Sequence, residues 1–230
     1  MLKFRESTGN DEDLGKMYSL FAEAFPDEDE RESLENLAKF VSIKVEGVES
    51  HILHLKTGSN IIGSMVFAYF HQSNTGYISY IVVDKAHKNK GFATKIFDEG
   101  MRILGEDAKK INKRELGYVF LELDKFDPNK IPAAAHIWHK KGFKRLDFDY
   151  TQPPLDKNKC ESNSLMLAVR VHTNEEYLES NIVKLFIADF FGLVFEIEPP
   201  LIKEYIERMC KRLGDSDVGL MGIINPSMSS

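Results

Sequence analysis

The stretch Val82-Val83-Asp84-Lys85-Ala86-His87-Lys88-Asn89-Lys90-Gly91-Phe92-Ala93-Thr94 combines the residue types of an anion site. An apolar strand ends, a polar loop turns, and a helix opens at a small residue. The first backbone N–H groups of a helix have no internal partners and sit at the positive end of its dipole. They can therefore hold a phosphate without help from any side chain. Gly91 permits close approach of the main chain, Ala93 keeps the first turn uncluttered, and Lys85, Lys88, Lys90 and Lys95 surround the spot. The segment has neither the Gly-Lys-Ser/Thr ending of a Walker loop nor a dinucleotide fingerprint. By itself it also fits a solvated, lysine-rich loop edge that binds nothing.

A second group able to do chemistry is Glu122, in Phe120-Leu121-Glu122-Leu123-Asp124. Strand alternation turns it away from Leu121 and Leu123. A carboxylate between apolar neighbours on a central strand is costly unless it is solvated, paired or functional. Asp124 shares its face.

The elements that must position these groups can be read from periodicity. A short strand at 2–4 precedes Asp11, a helix N-cap, after which Leu14, Met17, Phe21 and Phe25 recur at helical spacing until Pro26. Leu34, Leu37, Ala38 and Val41 mark a second helix. Residues 50–56, 61–71 and 77–83 are rich in β-branched and aromatic residues and are separated by Thr57-Gly58-Ser59-Asn60 and Ser73-Asn74-Thr75-Gly76, an antiparallel meander. The helix opening at Gly91 carries Phe92, Ile96, Phe97, Ile103 and Leu104. A strand at 118–123 leads to a helix from about Pro132 to Lys141, stopped by Gly142. Strands at 143–148 and 164–171 follow, joined by a proline-rich loop. The expected fold is α+β, a mixed and mostly antiparallel sheet in the order βααβββαβαββ, flanked by helices and followed by a C-terminal helical extension.

Two motifs in register on these elements resemble the GNAT superfamily of acyl-CoA N-acyltransferases. The family's Arg/Gln-x-x-Gly-x-Gly/Ala between fourth strand and third helix is similar to Lys88-Asn89-Lys90-Gly91-Phe92-Ala93. Its aromatic-x-x-x-Gly-Phe at the end of the next helix is similar to Trp138-His139-Lys140-Lys141-Gly142-Phe143. A subgroup with Tyr-x-Gln-Pro-x-Leu after the sixth strand is matched by Tyr150–Leu155. The resemblance covers residues 1–171 and implies an acyltransferase using acetyl-CoA, with no metal.

It also implies roles for individual residues. The fourth and fifth strands splay apart in this family, and the pantetheine arm of CoA pairs with backbone corresponding to Ile81, Val82 and Val83. The pyrophosphate is implied to rest on amides of Lys88, Asn89, Lys90, Gly91, Phe92, Ala93 and Thr94. Lys88 replaces the usual Arg/Gln and so lacks a planar multi-donor head. An amine of pKa ~10 is protonated at neutral pH and needs a base, and Glu122 is the candidate. Many members use a tyrosine acid where this chain has Trp138. Indole can donate a hydrogen bond but not that proton, so Trp138 is expected as a wall beside the thioester. Tyr150 and Tyr80 are the hydroxyls that could substitute, with Tyr150 placed among the catalytic candidates; plain core packing is the alternative for both. Ser79 occupies the fourth-strand position that is often acidic. His136 and His139 flank Trp138, as site residues or simply as exposed histidines.

The net charge of −6 is uneven: residues 1–50 carry 6 basic and 13 acidic side chains, 172–230 carry 5 and 10, and the middle segment is basic by +6. That surplus suits a small polyanion better than nucleic acid, and the acidic N-terminal helices favour a cationic acceptor. The expected acceptor is a small-molecule or peptide amine. The alternative reading is a CoA-binding interaction protein without catalysis.

Cys160 and Cys210 offer neither a disulfide scaffold nor metal spacing. The opening residues lack the apolar stretch of a secretory signal, and the apolar run 182–197 would span about 24 Å as a helix, short of a membrane core. A cytoplasmic protein that avoids membranes is expected. The domain expectation is a catalytic domain at 1–171, a helical extension at 172–214 and a flexible tail at 215–230. The extension carries Leu201, Ile202, Tyr205, Ile206, Met209 and Leu213 on one helix face. That face must pack on the parent domain or serve a homodimer or partner surface.

Overall fold

Chain contacts divide the protein between Leu116 and Gly117 into two units. The computed structural model describes residues 1–28, 31–155, 159–172, 174–195 and 198–224.

The first unit contains β1 (Leu2–Glu6), α1 (Glu12–Ala24), α2 (Leu34–Ser42), β2 (Val48–Thr57), β3 (Asn60–Phe70), β4 (Thr75–Val83) and α3 (Phe92–Asn112). Its strands pair antiparallel in the order β1-β2-β3-β4. Asp11 caps α1 by accepting from the Leu14 amide at 3.1 Å, and Ser33 caps α2 by accepting from Asn36 at 3.0 Å. Leu14, Met17 and Phe21 of α1 and Leu37 of α2 pack on Ile52 and Val66. β3 is buried from Ile61 to Phe70, so its sequence reads as a continuous apolar run rather than an alternation.

β4 carries one residue more than β3 at mid-strand. Val66 faces Tyr80 and Phe67 faces Ile78, which leaves Ser79 without a partner. Such a bulge bends and twists the strand locally.

α3 lies close on this sheet because of two glycines. A methyl group on Gly63 of β3 would stand 2.6 Å from Ile96 Cδ1 and 2.7 Å from the Val82 carbonyl oxygen. On Gly100 of α3 it would meet Met65 Sδ at 2.6 Å. The Met65 thioether can turn aside, and alanine favours a helix interior by about 1 kcal/mol over glycine. The Val82 carbonyl belongs to the strand backbone and cannot turn aside. Gly63→Ala is therefore expected to lower unfolding free energy by about 2 kcal/mol, and Gly100→Ala by clearly less. Urea unfolding of the two variants checks the order.

Two histidines of β2 meet opposite fates. His51 stacks on Phe67 at 4.9 Å. Its Nδ1 lies 3.0 Å from Glu6 Oε2 and its Nε2 lies 2.9 Å from Asp107 Oδ2. Burial alone would lower its pKa, but the hydrogen bonds and charges of Asp107 and Glu6 prevail and raise it to about 9. His54 is wholly buried, its Nδ1 2.8 Å from Ser64 Oγ and its Nε2 without a hydrogen-bond partner among the described residues. Burial lowers its pKa to about 4.

The second unit contains β5 (Val119–Asp124), α4 (Ala133–Lys140), β6 (Phe143–Leu146), β7 (Leu165–Arg170), β8 (Tyr177–Leu178), α5 (Ser180–Val194), α6 (Pro199–Leu213) and β9 (Val218–Gly222). Its strands run β5-β7-β6-β9-β8, each pair antiparallel. Gly142, at φ +85°, ends α4 in the left-handed conformation that glycine tolerates. α5 buries Val183, Phe186, Ile187, Phe190 and Phe191, and Phe186 stacks on Phe120 of β5 at 4.0 Å. Pro199 and Pro200 open α6, which buries Ile202, Tyr205, Met209 and Leu213.

The expected order βααβββαβαββ is the observed order through β7, with helices flanking a mostly antiparallel sheet as the GNAT-like fold class requires. Two strands were not foreseen. β8 has two residues, and β9 lies in the segment expected as a flexible tail. Of that tail, residues 225–230 lie outside the described residues. Among the described residues no helix is long and apolar enough to cross a membrane.

Candidate active site

In the first unit, the segment between β4 and α3 is folded by Asp84. Its carboxylate accepts from the Ala86 amide at 3.1 Å and lies 2.8 Å from His87 Nδ1. These bonds, that to His87 foremost, hold its pKa below the usual carboxylate range. Asn89 and Gly91 then take positive φ, +61° and +77°. Two left-handed residues so close together turn the chain sharply into α3. The helix opens at Gly91 with no side-chain cap and no acid in its first turn.

Lys88, Asn89, Lys90, Gly91 and Thr94 are exposed, and Phe92 and Ala93 are half-buried. Two of the four nearby lysines are engaged: Lys85 pairs with Glu23, and the Lys90 ammonium donates to the Ala86 carbonyl at 2.9 Å. Lys88 and Lys95 are exposed, with the Lys95 ammonium 5.8 Å from the centre of the Phe92 ring. The arrangement has the parts of an anion cradle: a helix N-terminus whose amides no side chain caps, with positive charge around it. Ile81, Val82 and Val83 form the end of β4 and face Met65, Ser64 and Gly63; Val82 is buried and its neighbours are half-buried. Tyr80 packs edge-on against Phe21 and Phe25 of α1.

In the second unit, Glu122 sits on β5 opposite Leu167 and is half-buried. Its two carboxylate oxygens have separate donors. Tyr150 Oη donates to Oε1, and Gln152 Nε2 donates to Oε2 at 2.8 Å. Alternate residues of an extended segment share a face, which is why the first and third residues of Tyr150-Thr151-Gln152 reach the same carboxylate.

Tyr150 is fully buried, its ring between Phe148 and Phe191. Burial first, then the Glu122 charge and hydrogen bond, push its hydroxyl well above the ordinary phenol range. Losing that proton would set a phenolate against a carboxylate. The hydroxyl is thus built to hold Glu122 and is a poor source of a proton.

Trp138 is buried with its ring edge-on to Phe143 at 5.3 Å. His136 and His139 are exposed, as is Asp124. The structure therefore brings Glu122 and Tyr150 together and leaves both histidines at the surface. Gln152, which the sequence does not single out, joins the Glu122–Tyr150 pair through its bond to Glu122 Oε2. Among the described residues no group of His, Cys, Asp and Glu is placed to hold a metal ion.

Residues 14–125 match the acetyltransferase (GNAT) family. Comparison with curated proteins finds no match. Among solved structures, the chain superposes on a GNAT-family protein from Bacteroides thetaiotaomicron at TM-score 0.55 and 18% identity, covering 75% of this chain and 88% of that one. A GNAT-family acetyltransferase from Staphylococcus aureus Mu50 gives 0.52 at 14% identity, covering 74% and 98%. A tandem GNAT protein from the clavulanic acid biosynthesis pathway gives 0.55 at 13% identity; 66% of this chain is covered, and this chain spans only 46% of that structure. At such identities the likeness is one of fold.

Proposed function

We propose that the chain, whose residues 14–125 match the acetyltransferase (GNAT) family, moves an acetyl group from acetyl-CoA to a primary amine by direct attack. The observation that carries this reading is the opening of α3: an uncapped helix start with two left-handed residues, among exposed and half-buried residues, with no acid in its first turn. Amides of Lys88 to Thr94 hold the CoA pyrophosphate, and the backbone of Ile81, Val82 and Val83 serves the pantetheine arm. The donor set fits an anion of that size and charge.

Glu122 takes a proton from the acceptor ammonium, by itself or through one water. The freed nitrogen attacks the thioester carbonyl, a C–N bond forms, and the C–S bond breaks as the tetrahedral intermediate collapses. The attacking nitrogen sheds its second proton to solvent, and the thiolate leaves and takes its own proton from solvent, since a thiol of pKa ~8.5 needs no dedicated acid. Tyr150 and Gln152 orient the carboxylate. Trp138 packs as a wall. The acidic residues of the first 50 positions favour a cationic amine, a preference that equal turnover of cationic and anionic amines would remove. The whole protein is read as acting in the cytoplasm, on a small-molecule or peptide amine.

Calorimetry with coenzyme A tests the grip, and thiol release from acetyl-CoA over a panel of primary amines tests the transfer. Alanine at φ +77° costs about 1–2 kcal/mol, so Gly91→Ala is expected to weaken CoA binding roughly tenfold. Absence of heat with the unsubstituted chain overturns the proposal. A second reading, CoA held without catalysis, draws on Trp138 at the usual tyrosine position and on the commitment of the Tyr150 hydroxyl to Glu122. Heat with CoA but no thiol release with any amine would select it.

A further inference from the structure

We propose that α6 is part of the apparatus that holds the Glu122 carboxylate, with Arg212 as its positioning residue. The inference rests on the acyltransferase reading for its catalytic consequence, and on geometry within the second unit for everything else. Tyr150 and Gln152 reach Glu122 from a strap that leaves at Asp149 and returns through Glu161 to Ser164. Gln152 and Ser162 exchange both backbone hydrogen bonds, at 2.9 and 3.0 Å, and so tie its two limbs together.

α6 grips each limb separately. Arg212 Nη1 donates to the Asp149 carbonyl at 2.9 Å and to Thr151 Oγ1 at 2.8 Å. Thr151 is fully buried, and its hydroxyl passes the chain on to Asn163 Oδ1 at 2.5 Å. On the returning limb, Glu161 Oε2 accepts from Tyr205 Oη and from Arg208 Nη2, each at 2.8 Å. The Arg208 guanidinium lies over the Tyr205 ring at 4.3 Å. Tyr205, Arg208 and Arg212 fall on one stripe of the helix.

The geometry makes Arg212 more than a surface contact. Thr151 lies between Tyr150 and Gln152 and points away from them. Pinning its hydroxyl fixes the backbone from which both donors to Glu122 project. Release of Thr151 would let both donors drift, and a general base displaced by a fraction of an ångström loses much of its effect. A further detail selects the variants. One nitrogen of Arg212 makes both bonds, so a lysine ammonium can replace it whereas alanine cannot.

The test uses the full chain. Amide hydrogen exchange is measured at Gln152 and Ser162, the Glu122 carboxyl carbon is titrated by NMR, and kcat and KM for acetyl-CoA are measured with the best amine of the panel. Arg212→Ala is expected to speed exchange at both amides about tenfold and to shift the Glu122 titration. It should lower kcat about tenfold with KM for acetyl-CoA within about twofold. Arg212→Lys restores all of these, and Lys203→Ala on the exposed side of α6 changes none. Unaltered exchange and titration in Arg212→Ala overturn the proposal, as does faster exchange with kcat unchanged. If the unsubstituted chain transfers no acyl group, the acyltransferase reading fails, and exchange and titration still decide whether Arg212 holds the carboxylate.

Discussion

Glu122→Gln is expected to lower kcat for acetyl transfer by about 10²–10⁴-fold, the usual worth of a positioned general base. KM for acetyl-CoA should stay nearly constant, because the pyrophosphate grip is assigned to main-chain amides that Glu122 does not contribute. The substitution is close to isosteric, and the site can absorb it. A glutamine carbonyl still accepts from Tyr150 Oη, and the new amide faces Gln152, whose own amide can turn to present its oxygen. The variant should therefore melt with the parent while losing the acidic limb of the pH–rate profile. Normal turnover would remove Glu122 as the base and leave Asp124, exposed on the same face, or water as the acceptor of the proton. A loss of kcat together with a large loss of stability would instead mark the carboxylate as a structural anchor for Tyr150.

The parts of the site that were legible in the sequence are those made by the local chain. The α3 opening depends on glycine at a left-handed position, on an absent cap and on nearby lysines, all within a few residues of Gly91. The Glu122–Tyr150–Gln152 group could not be read in this way. It joins positions 28 and 30 residues apart, and the pairing depends on how the strap returns across β5. Alternation requires Glu122 to be solvated, paired or functional without deciding which, and the structure pairs it with the Tyr150 hydroxyl. Gln152 was visible in Tyr150–Leu155 yet carries no chemistry that spacing alone would single out.

The C-terminal region shows the same division. α6 is marked in the sequence by Pro199, Gly214 and a clean apolar stripe, of which Ile202, Tyr205, Met209 and Leu213 are buried, Ile206 is half-buried and Leu201 is exposed. β9 has the sequence Val-Gly-Leu-Met-Gly, poor in β-branched residues, and it is a strand because β6 and β8 flank it. Tertiary pairing there overrides a weak intrinsic preference. The role of Arg212 was hidden for a different reason. A lysine- and arginine-rich last turn is ordinary helix chemistry, and only the path of the strap makes one of those charges specific.

Stability of the protein should pass through a maximum near pH 6.5, because two histidines of one strand impose opposite slopes. His51 titrates near 9 in the fold against an ordinary 6.5. Its protonated ring between Glu6 and Asp107 contributes stability that is fully present below pH 6.5 and is lost as pH rises through 9. His54 titrates near 4. Above pH 6.5 it is neutral in both states and has no effect. Below 6.5 the unfolded chain takes up a proton that the buried ring refuses until about pH 4, so stability falls across that interval. Each arm amounts to roughly 3 kcal/mol at its extreme, as an upper estimate from the linkage of proton binding to folding. Depressed carboxylates such as Glu6 and Asp13 steepen the acid side. Urea unfolding measured from pH 4 to pH 9 reads both arms. His51→Gln, whose amide can donate to one of the two carboxylates but cannot hold a charge, should flatten the alkaline arm alone. The acid arm should flatten when His54→Leu is combined with Ser64→Ala, which removes both partners of the buried bond and leaves neither orphaned. An unfolding free energy that stays level between pH 6.5 and 9 in the unsubstituted chain would show that His51 is not held as a cation, and that the contact joining β1, β2 and α3 is an ordinary neutral hydrogen bond.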